Sequence, residues 1–254
     1  MIESQVKKIA HELRLFGILK SFESRCAAAL ADSQHPHEML LSLLEEERSH
    51  RQMVTTKRLV TQAKFRSHAD LEDWDQTFDR GVSPAKMKEI CSLNFVQRKE
   101  NLLIYGKTGE GKTQLAISIG RRLCLEGMTT KFFSVSLLLE EIQAERAAGK
   151  YLDFIKKIRK TDVLILDDFG LRNYTHEEAT ALMDILEERY RKGIQIVTSQ
   201  VNAKGWVKLF DDPVIAEAIV DRLEHPSVLL TLKGGSYRER LGKKALKTQT
   251  KTDM

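Results

Sequence analysis

The sequence predicts an α/β protein in which a parallel-sheet core follows a small, all-α N-terminal domain. Three observations support this prediction. Apolar residues recur at helical spacing through the first seventy residues, short apolar runs alternate with helical patterns from residue 101 onward, and the stretch GKTGEGKT follows the first of those runs. Alternating strands and helices are typical of a parallel sheet with helices on both faces. We expect the helical domain to span residues 1–75 and the α/β domain residues 76–254.

The N-terminal domain is expected to contain three or four helices. Its first helix is indicated by four apolar residues three to four positions apart: Val6, Ile9, Leu13 and Phe16. Gly17 is expected to end that helix, because glycine is the usual residue after a helix C-terminus. A second helix is predicted for residues 18–31. After a break around Pro36, one long helix or a pair of helices is predicted for residues 38–65.

In the α/β domain, the order of elements follows from the apolar runs. Buried strands are predicted at residues 101–105, 131–135, 163–166, 194–198 and 228–232. Helices are predicted between them at residues 112–126, 137–150 and 176–192. Residues 71–100 differ in composition from the segments on either side, and they are predicted to be a connector that leads into a short helix.

Composition excludes several classes of protein. The chain has 254 residues, of which 42% are hydrophobic and 30% charged, and no apolar run reaches the roughly 18 residues that a membrane span needs. Its first residues have scattered charges and lack the apolar segment of a signal peptide. The three cysteines are too far apart for a C-x-x-C metal or redox site. We therefore expect a cytoplasmic protein with no membrane association.

GKTGEGKT matches the pattern G-x-x-x-x-G-K-[ST] that cradles nucleotide phosphates. In such a loop the glycines let successive N–H groups surround a phosphate, the lysine contacts the β- and γ-phosphates, and the threonine hydroxyl binds Mg²⁺. The loop must follow a strand and open a helix, as it does here. The sequence thus predicts a site for ATP or ADP with Mg²⁺, formed by Gly106, Lys107, Thr108, Gly109, Glu110, Gly111, Lys112 and Thr113.

Two carboxylates follow a later apolar run, in VLILDDFG. Next to a phosphate loop, Asp167 is expected to hold Mg²⁺ and Asp168 to orient the attacking water. Paired acids after a strand also occur as helix caps or solvated residues, and the phosphate loop favours the catalytic interpretation. A small-molecule kinase would use the same loop, but the sequence shows neither an acceptor site nor a lid.

Two arginines flank the last apolar run, Arg222 before it and Arg238 after it. An arginine near a transferring phosphoryl group stabilises the charge that develops there. On spacing alone, either residue fits a surface salt bridge equally well.

A basic segment precedes the connector. Residues 48–69 contain six Lys or Arg residues and no acid, and residues 233–251 are also strongly basic. On one continuous helix, the four arginines of the first segment would share an arc of about 80–90°. Such a surface suits duplex phosphates without reading sequence, although a solvated helix face remains the alternative. The predicted DNA-binding residues are Arg48, Arg51, Lys57, Arg58, Lys64 and Arg66.

Taken together, GKTGEGKT, LILDDFG, IVTSQ, DRLEH and GGSYRER resemble the AAA+ ATPases of the IstB/DnaC group, and AKFRSHADLEDWDQTF is closer to IstB than to a helicase loader. The resemblance implies a P-loop AAA+ core that hydrolyses ATP. It implies that residues 106–113 are the Walker A loop, Asp167 and Asp168 the Walker B pair and Gln200 the sensor I residue. Arg222 would be a finger offered to the neighbouring subunit, and Arg238 the sensor II arginine.

The same resemblance implies a helper of DNA transposition that assembles with ATP into a homo-oligomeric ring or spiral. It would act on duplex DNA, select or remodel a target and stimulate a transposase. Two alternatives stay open, a replicative helicase loader of the DnaC kind and a nucleotide-gated adaptor with negligible hydrolysis. Asp168 replaces the glutamate of many AAA+ proteins, and its shorter side chain implies slow hydrolysis or use of the nucleotide as a switch.

Overall fold

The computed structural model describes residues 2–72, 74 and 79–235. Within this part, the chain forms eleven α-helices and five β-strands. The helices are α1 (Ile2–Glu12), α2 (Phe16–Ala31), α3 (Pro36–Ala63), α4 (Pro84–Cys91), α5 (Asn94–Gln97), α6 (Lys112–Leu125), α7 (Val135–Ala147), α8 (Tyr151–Arg159), α9 (His176–Arg189), α10 (Ala203–Trp206) and α11 (Pro213–Glu224). The strands are β1 (Asn101–Tyr105), β2 (Thr130–Ser134), β3 (Val163–Phe169), β4 (Ile194–Ser199) and β5 (Ser227–Thr231).

The five strands form one parallel sheet in the order β2-β3-β4-β1-β5. Strand β1 lies between β4 and β5, so Leu103 is paired with Val197 on one side and Leu229 on the other. Ligands of open parallel sheets bind beyond the carboxyl ends of the strands. The loop after β1 therefore emerges at the edge of the sheet where a ligand is expected, and the predicted parallel α/β core is confirmed.

Each face of the sheet is covered by helices, which gives two apolar cores. On β1, Leu103 packs with residues from α7, α8, α9 and α11, whereas Leu102 and Ile104 pack on the other face with residues from α6. All three leucine and isoleucine side chains are fully buried. Because strands in such a sheet are buried on both faces, they appear in sequence as continuous apolar runs.

Contacts divide the chain after Leu59, into residues 1–59 and 60–254. This division is earlier than the boundary at residue 75 expected from sequence. The residues that follow α3 pack with the α/β core, since Ala69 is buried there and the ring of Phe65 lies 6.4 Å from that of Phe132. A segment without regular structure, here residues 64–70, can still belong to a core through a few apolar contacts, which its composition does not reveal.

In the N-terminal unit, the prediction that Gly17 ends the first helix is wrong. Helix α1 ends at Glu12, and Gly17 is a buried residue of α2. A Cβ atom at Gly17 would lie 2.6 Å from the carbonyl oxygen of Glu46 and from Cα of Glu47. Glycine is needed here for the close approach of α2 to α3, a tertiary requirement that resembles a helix terminator in sequence.

The close approach of α2 to α3 is held by the carboxylate of Glu47, which is 6% exposed. It accepts hydrogen bonds from the N–H groups of Gly17 (2.7 Å) and Ile18 (3.2 Å) and from Nε of Arg51 (2.7 Å). Burial alone would raise the pKa of Glu47, but the hydrogen bonds from Arg51 and from these two N–H groups outweigh it and lower the pKa. The carboxylate thus stabilises the unit in its ionised form.

Replacing Glu47 by glutamine is expected to lower the free energy of unfolding by about 1–2 kcal/mol at pH 7. Because the folded-state pKa is below the ordinary 4.5, the wild-type advantage is present above that value and is lost as pH falls through the folded-state pKa. Urea unfolding followed by circular dichroism at pH 7 and pH 3 measures both effects. Glu45→Gln, at an exposed position that pairs with Arg48 at 3.6 Å, is the control. Equal stability of Glu47→Gln and wild type at pH 7 would contradict the assignment.

Three helices of the α/β core, α8, α10 and α11, were missed by the sequence prediction. Helix α8 follows α7 after a break at residues 148–150, and its buried Phe154, Ile155 and Ile158 are too few to stand out as a pattern. Helix α11 precedes β5 and is capped by Asp212, whose side chain accepts from the N–H of Val214. Among the described residues, no helix is long and apolar enough to cross a membrane.

Candidate functional site

The phosphate loop lies between β1 and α6. Gly109 and Gly111 have φ angles of 87° and 95°, which only glycine adopts without strain. This backbone turns the chain sharply from the strand into α6, whose first hydrogen bond runs from the N–H of Leu115 to the carbonyl of Gly111. The N–H groups and the positive dipole end at the start of α6 make this end of the helix suited to an anion.

Lys112, the first residue of α6, is 6% exposed, and its Nζ atom donates to the carbonyl of Lys107 (2.9 Å). The ammonium group is thereby folded back over the loop. The carboxylate of Glu110 supports the loop from inside, because it accepts from the N–H of Lys107 (2.5 Å) and from the N–H of Gly234 (3.1 Å), just after β5. The loop is therefore held in shape by its own side chains.

Both predicted Walker B carboxylates lie on β3 beside the loop. Asp167 is fully buried, and its Oδ1 atom accepts from the hydroxyls of Thr113 (2.8 Å) and Thr198 (2.6 Å). Burial raises the pKa of Asp167, against the effect of the two hydroxyls. Two carboxylates and a hydroxyl form the oxygen set that Mg²⁺ prefers. Oδ2 of Asp167 is buried and accepts no hydrogen bond from the described residues, although Nη1 of Arg66 lies 3.3 Å away as an ion-pair partner. A buried carboxylate oxygen that a cation already approaches is a suitable ligand, so the residues present fit Mg²⁺.

Asp168 follows Asp167 in a left-handed conformation, with φ at 61°. The pairing of β3 with β4 shifts register between Leu166 and Phe169, and the N–H of Asp168 donates to the hydroxyl of Thr198 (3.0 Å). A left-handed aspartate is uncommon and costs about 1 kcal/mol or more. This bulge turns the Asp168 carboxylate toward the phosphate loop, where it lines the cavity.

Thr198 was not identified from sequence. Its hydroxyl donates to the side chain of Asp167 and accepts from the backbone of Asp168, so it holds both carboxylates of the pair. The predicted sensor residue Gln200 lies two positions further, and its Oε1 atom accepts from the hydroxyl of Thr108 at 2.9 Å. Strand β4 pairs with β3, so the carboxyl ends of the two strands lie side by side. A prediction of this strand order would have placed Thr198 next to Asp167.

A cavity of about 810 Å³ adjoins the loop, and its volume lies within the range of small-molecule pockets. Part of its lining comes from Trp74 and Arg80, two residues of the predicted connector before β1. Trp74 and Arg80 stack, with the guanidinium carbon 4.0 Å from the ring centroid, and both would contact a Cβ atom at Gly111. No local signal distinguishes these two residues from others in the connector.

Of the two predicted arginines, Arg222 lies among the described residues and Arg238 does not. Arg222 lies on α11 and forms an ion pair with Glu187 of α9. It is not part of the cavity lining in its own chain. Arg238 lies outside the described residues, so its sensor II role stays a prediction.

The six predicted DNA-binding residues do not share one helix. Arg48, Arg51, Lys57 and Arg58 lie on α3 and are exposed. The helix ends at Ala63, and the next residue, Lys64, has a φ of 57°, which turns the chain. The expectation that Arg66 extends the basic arc of the helix is therefore wrong. Its Nη1 atom lies 3.3 Å from Oδ2 of Asp167.

Comparisons with known proteins agree with this geometry. Residues 8–245 match the family model of the IstB-like ATP binding protein. The protein named for ATP binding in insertion sequence IS5376 of Geobacillus stearothermophilus is 30% identical over 239 residues, which are 94% of this chain and 95% of that protein. Its counterpart in IS21 of Pseudomonas aeruginosa is 30% identical over 241 residues, or 95% and 91% of the two chains.

Solved structures with a similar fold include DnaI, with a TM-score of 0.56 and 20% identity, covering 70% of this chain and 94% of that one. AMPPCP-bound DnaA from Aquifex aeolicus has a TM-score of 0.57 and 18% identity, with coverage of 73% and 56%. At this identity the likeness concerns the fold, which is that of the AAA+ P-loop domains. The match over nearly the whole length, joined to an intact phosphate loop and carboxylate pair, shows that the chain belongs to the family of IstB-like ATP binding proteins.

Proposed function

We propose that this protein is an ATP-hydrolysing helper of insertion-sequence transposition, which assembles on duplex DNA with ATP and stimulates a transposase. The observation that carries the proposal is the hydrogen-bonded group of Thr113, Asp167 and Thr198 beside the phosphate loop. It joins the loop to the carboxylate pair in the arrangement that phosphoryl transfer requires. Relatives named for ATP binding in insertion sequences support the transposition setting.

In this proposal, Lys112 binds the β- and γ-phosphates and Thr113 and Asp167 hold Mg²⁺, which supplies charge neutralisation when bound. Asp168 orients the attacking water, and Gln200 contacts the γ-phosphate from the end of β4. Each of these groups is supplied by one chain.

Arg222 completes the site of a neighbouring subunit in this scheme. Its ion-pair partner Glu187 is 56% exposed, whereas Arg222 itself is 25% exposed and also donates to the carbonyl of Ala218 at 3.2 Å. Its release at a subunit interface would therefore cost one ion pair and one hydrogen bond within its own helix, which contacts with the neighbour's nucleotide would have to replace. Hydrolysis would then depend on assembly, in a ring or spiral of identical subunits.

Duplex DNA is the proposed assembly platform. The basic residues of α3 are exposed, Arg48 by 77% of its side chain. Such residues would contact phosphates along either strand, so we expect binding that is independent of sequence and weakens steeply as salt rises.

ATP hydrolysis is expected to rise with duplex DNA in the wild-type protein. Arg222→Ala should retain ATP binding but lose this stimulation, because removal of an arginine finger typically lowers turnover by about 10³-fold or more. Phosphate release with and without duplex, together with a calorimetric ATP titration, measures both. Glu187→Ala, which removes the carboxylate that pairs with Arg222 and leaves the arginine in place, is the matched control and should keep the stimulation.

Other outcomes would change the assignment. Stimulation by single strands alone would favour the helicase-loader alternative. Tight ATP binding without phosphate release in either condition would favour the nucleotide-gated adaptor. Electron microscopy with a non-hydrolysable ATP analogue and duplex DNA tests assembly directly, and dispersed monomers there would contradict it.

A further inference from the structure

Arg66 extends into the nucleotide site from the segment that follows α3. Its Nη2 atom donates to the hydroxyl of Thr113 at 3.3 Å. Its Nη1 atom lies 3.3 Å from Oδ2 of Asp167 and 3.9 Å from Oδ2 of Asp168. One guanidinium thus contacts all three side chains whose oxygens would hold or adjoin the metal ion.

These contacts have an electrostatic reason. With Asp167 fully buried and Asp168 partly exposed, two carboxylates of adjacent residues both lie close to the guanidinium of Arg66. Like charges brought near one another repel strongly where water is scarce. The positive charge of Arg66 reduces that repulsion, as a divalent cation would. A guanidinium and a cation cannot both contact Oδ2 of Asp167 without bringing two positive groups together.

Arg66 is placed so that its side chain can leave while its backbone stays. On one side, Phe65 packs against Phe132, and on the other Ala69 is buried in the same core. The side chain of Arg66 itself is 45% exposed. Its release therefore requires rotation of a half-exposed side chain and no loss of core packing.

We infer that Arg66 competes with Mg²⁺ for the carboxylate pair, occupying the cation's ligands in the nucleotide-free protein and leaving them when ATP and Mg²⁺ bind. This inference rests on the proposed function only in taking the cavity as the Mg–ATP site. It makes nucleotide binding weaker than the site would otherwise allow, because the guanidinium must be displaced. It also makes the conformation of the Arg66 side chain depend on the nucleotide.

Calorimetric titrations of ATP, with Mg²⁺ and with EDTA in place of the metal, test the competition. For Arg66→Gln we expect Mg–ATP to bind about tenfold more tightly than to wild type, within the usual range of coupling between sites. ATP in EDTA should bind no more tightly than to wild type. Arg66→Lys, which keeps the charge on a shorter side chain, should fall between the two. Arg122→Gln, at an exposed position of α6 that pairs with Glu126 at 3.0 Å, removes one charge elsewhere and should change neither constant.

A second measurement reports the displacement itself. NMR spectra of the arginine side-chain Nε–H groups report it, with the Arg66 signal assigned by its absence from Arg66→Gln. In the wild type this signal should shift when a non-hydrolysable ATP analogue and Mg²⁺ are added, and should not change with the analogue in EDTA. A signal that keeps its position in both conditions would contradict the displacement.

The possible outcomes distinguish a failure of the competition by Arg66 from a failure of the proposed function. If wild type binds Mg–ATP and Arg66→Gln binds it more weakly, Arg66 is a phosphate ligand and the competition is wrong. Equal affinities of wild type and Arg66→Gln would also overturn it. If wild type binds no nucleotide in either condition, the proposed function fails first, and this inference fails with it.

Discussion

Lys112→Ala is expected to weaken Mg–ATP binding by at least about 100-fold, or about 2.7 kcal/mol. The side chain is 6% exposed at the start of α6, where a single ammonium charge acts on phosphates in a poorly hydrated site. Calorimetric titration gives the dissociation constant directly. The ATP-induced rise in melting temperature should be lost in the same variant, since ligand stabilisation depends on the ratio of ligand concentration to that constant.

The matched control is Lys107→Ala. It removes a lysine from the same loop, but this side chain is exposed, and the loop uses only its backbone N–H and carbonyl groups. We expect its ATP affinity to stay within about threefold of wild type. If Lys112→Ala bound Mg–ATP as tightly as Lys107→Ala, the loop would not be the phosphate site. Circular dichroism of both variants checks that each remains folded.

The second large effect is expected at Arg189, the last residue of α9, which is fully buried. Its guanidinium donates to the carbonyls of Thr161 (2.6 Å), Ile158 (2.7 Å), Ile194 (3.0 Å) and Asp162 (3.3 Å). Burial lowers its pKa to about 10, although the nearby Asp162 opposes the shift. The group therefore stays charged at neutral pH and joins α8, α9 and the starts of β3 and β4.

Arg189→Met should lower the free energy of unfolding by about 3 kcal/mol. Methionine fills a similar volume but donates no hydrogen bond, so several buried carbonyls lose a donor. Urea unfolding followed by circular dichroism measures the change. Arg159→Met, at a surface position on α8 whose arginine pairs with Glu188 at 3.4 Å, should alter stability by less than about 0.5 kcal/mol. Equal stabilities of the two variants would mean that the desolvation of Arg189 cancels its hydrogen bonds.

Much of the fold was accessible from the sequence, because buried parallel strands must be apolar on both faces. All five predicted strands are present, within one residue at their starts. The short helix α8 and the role of Gly17 were not accessible. Both depend on the residues that pack against them. For Gly17 the sequence is ambiguous, because glycine is favoured both where two helices approach closely and where a helix ends.

The residues of the site also fall into two groups, those that the sequence predicts and those that it does not. The phosphate loop is a continuous stretch, so its spacing alone identifies Lys112 and Thr113, and the carboxylates of β3 follow directly in the motif LILDDFG. Thr198 and Trp74 come from distant parts of the chain, and their side chains meet the site only through the sheet order and the packing of the connector. Thr198 lies in the motif IVTSQ, but only the pairing of β3 with β4 shows that its hydroxyl reaches Asp167.

Local chemistry thus determined the alternation of strands and helices and predicted the nucleotide loop and the acidic pair, since each of these is specified by residues adjacent along the chain. The three-dimensional packing alone decided where Arg66 lies. In sequence it belongs to a run of cations suited to DNA, yet the turn at Lys64 takes it out of that helix and places its charge against Asp167. A side chain's charge is a property of the sequence, but which opposite charge it meets depends on the path of the backbone.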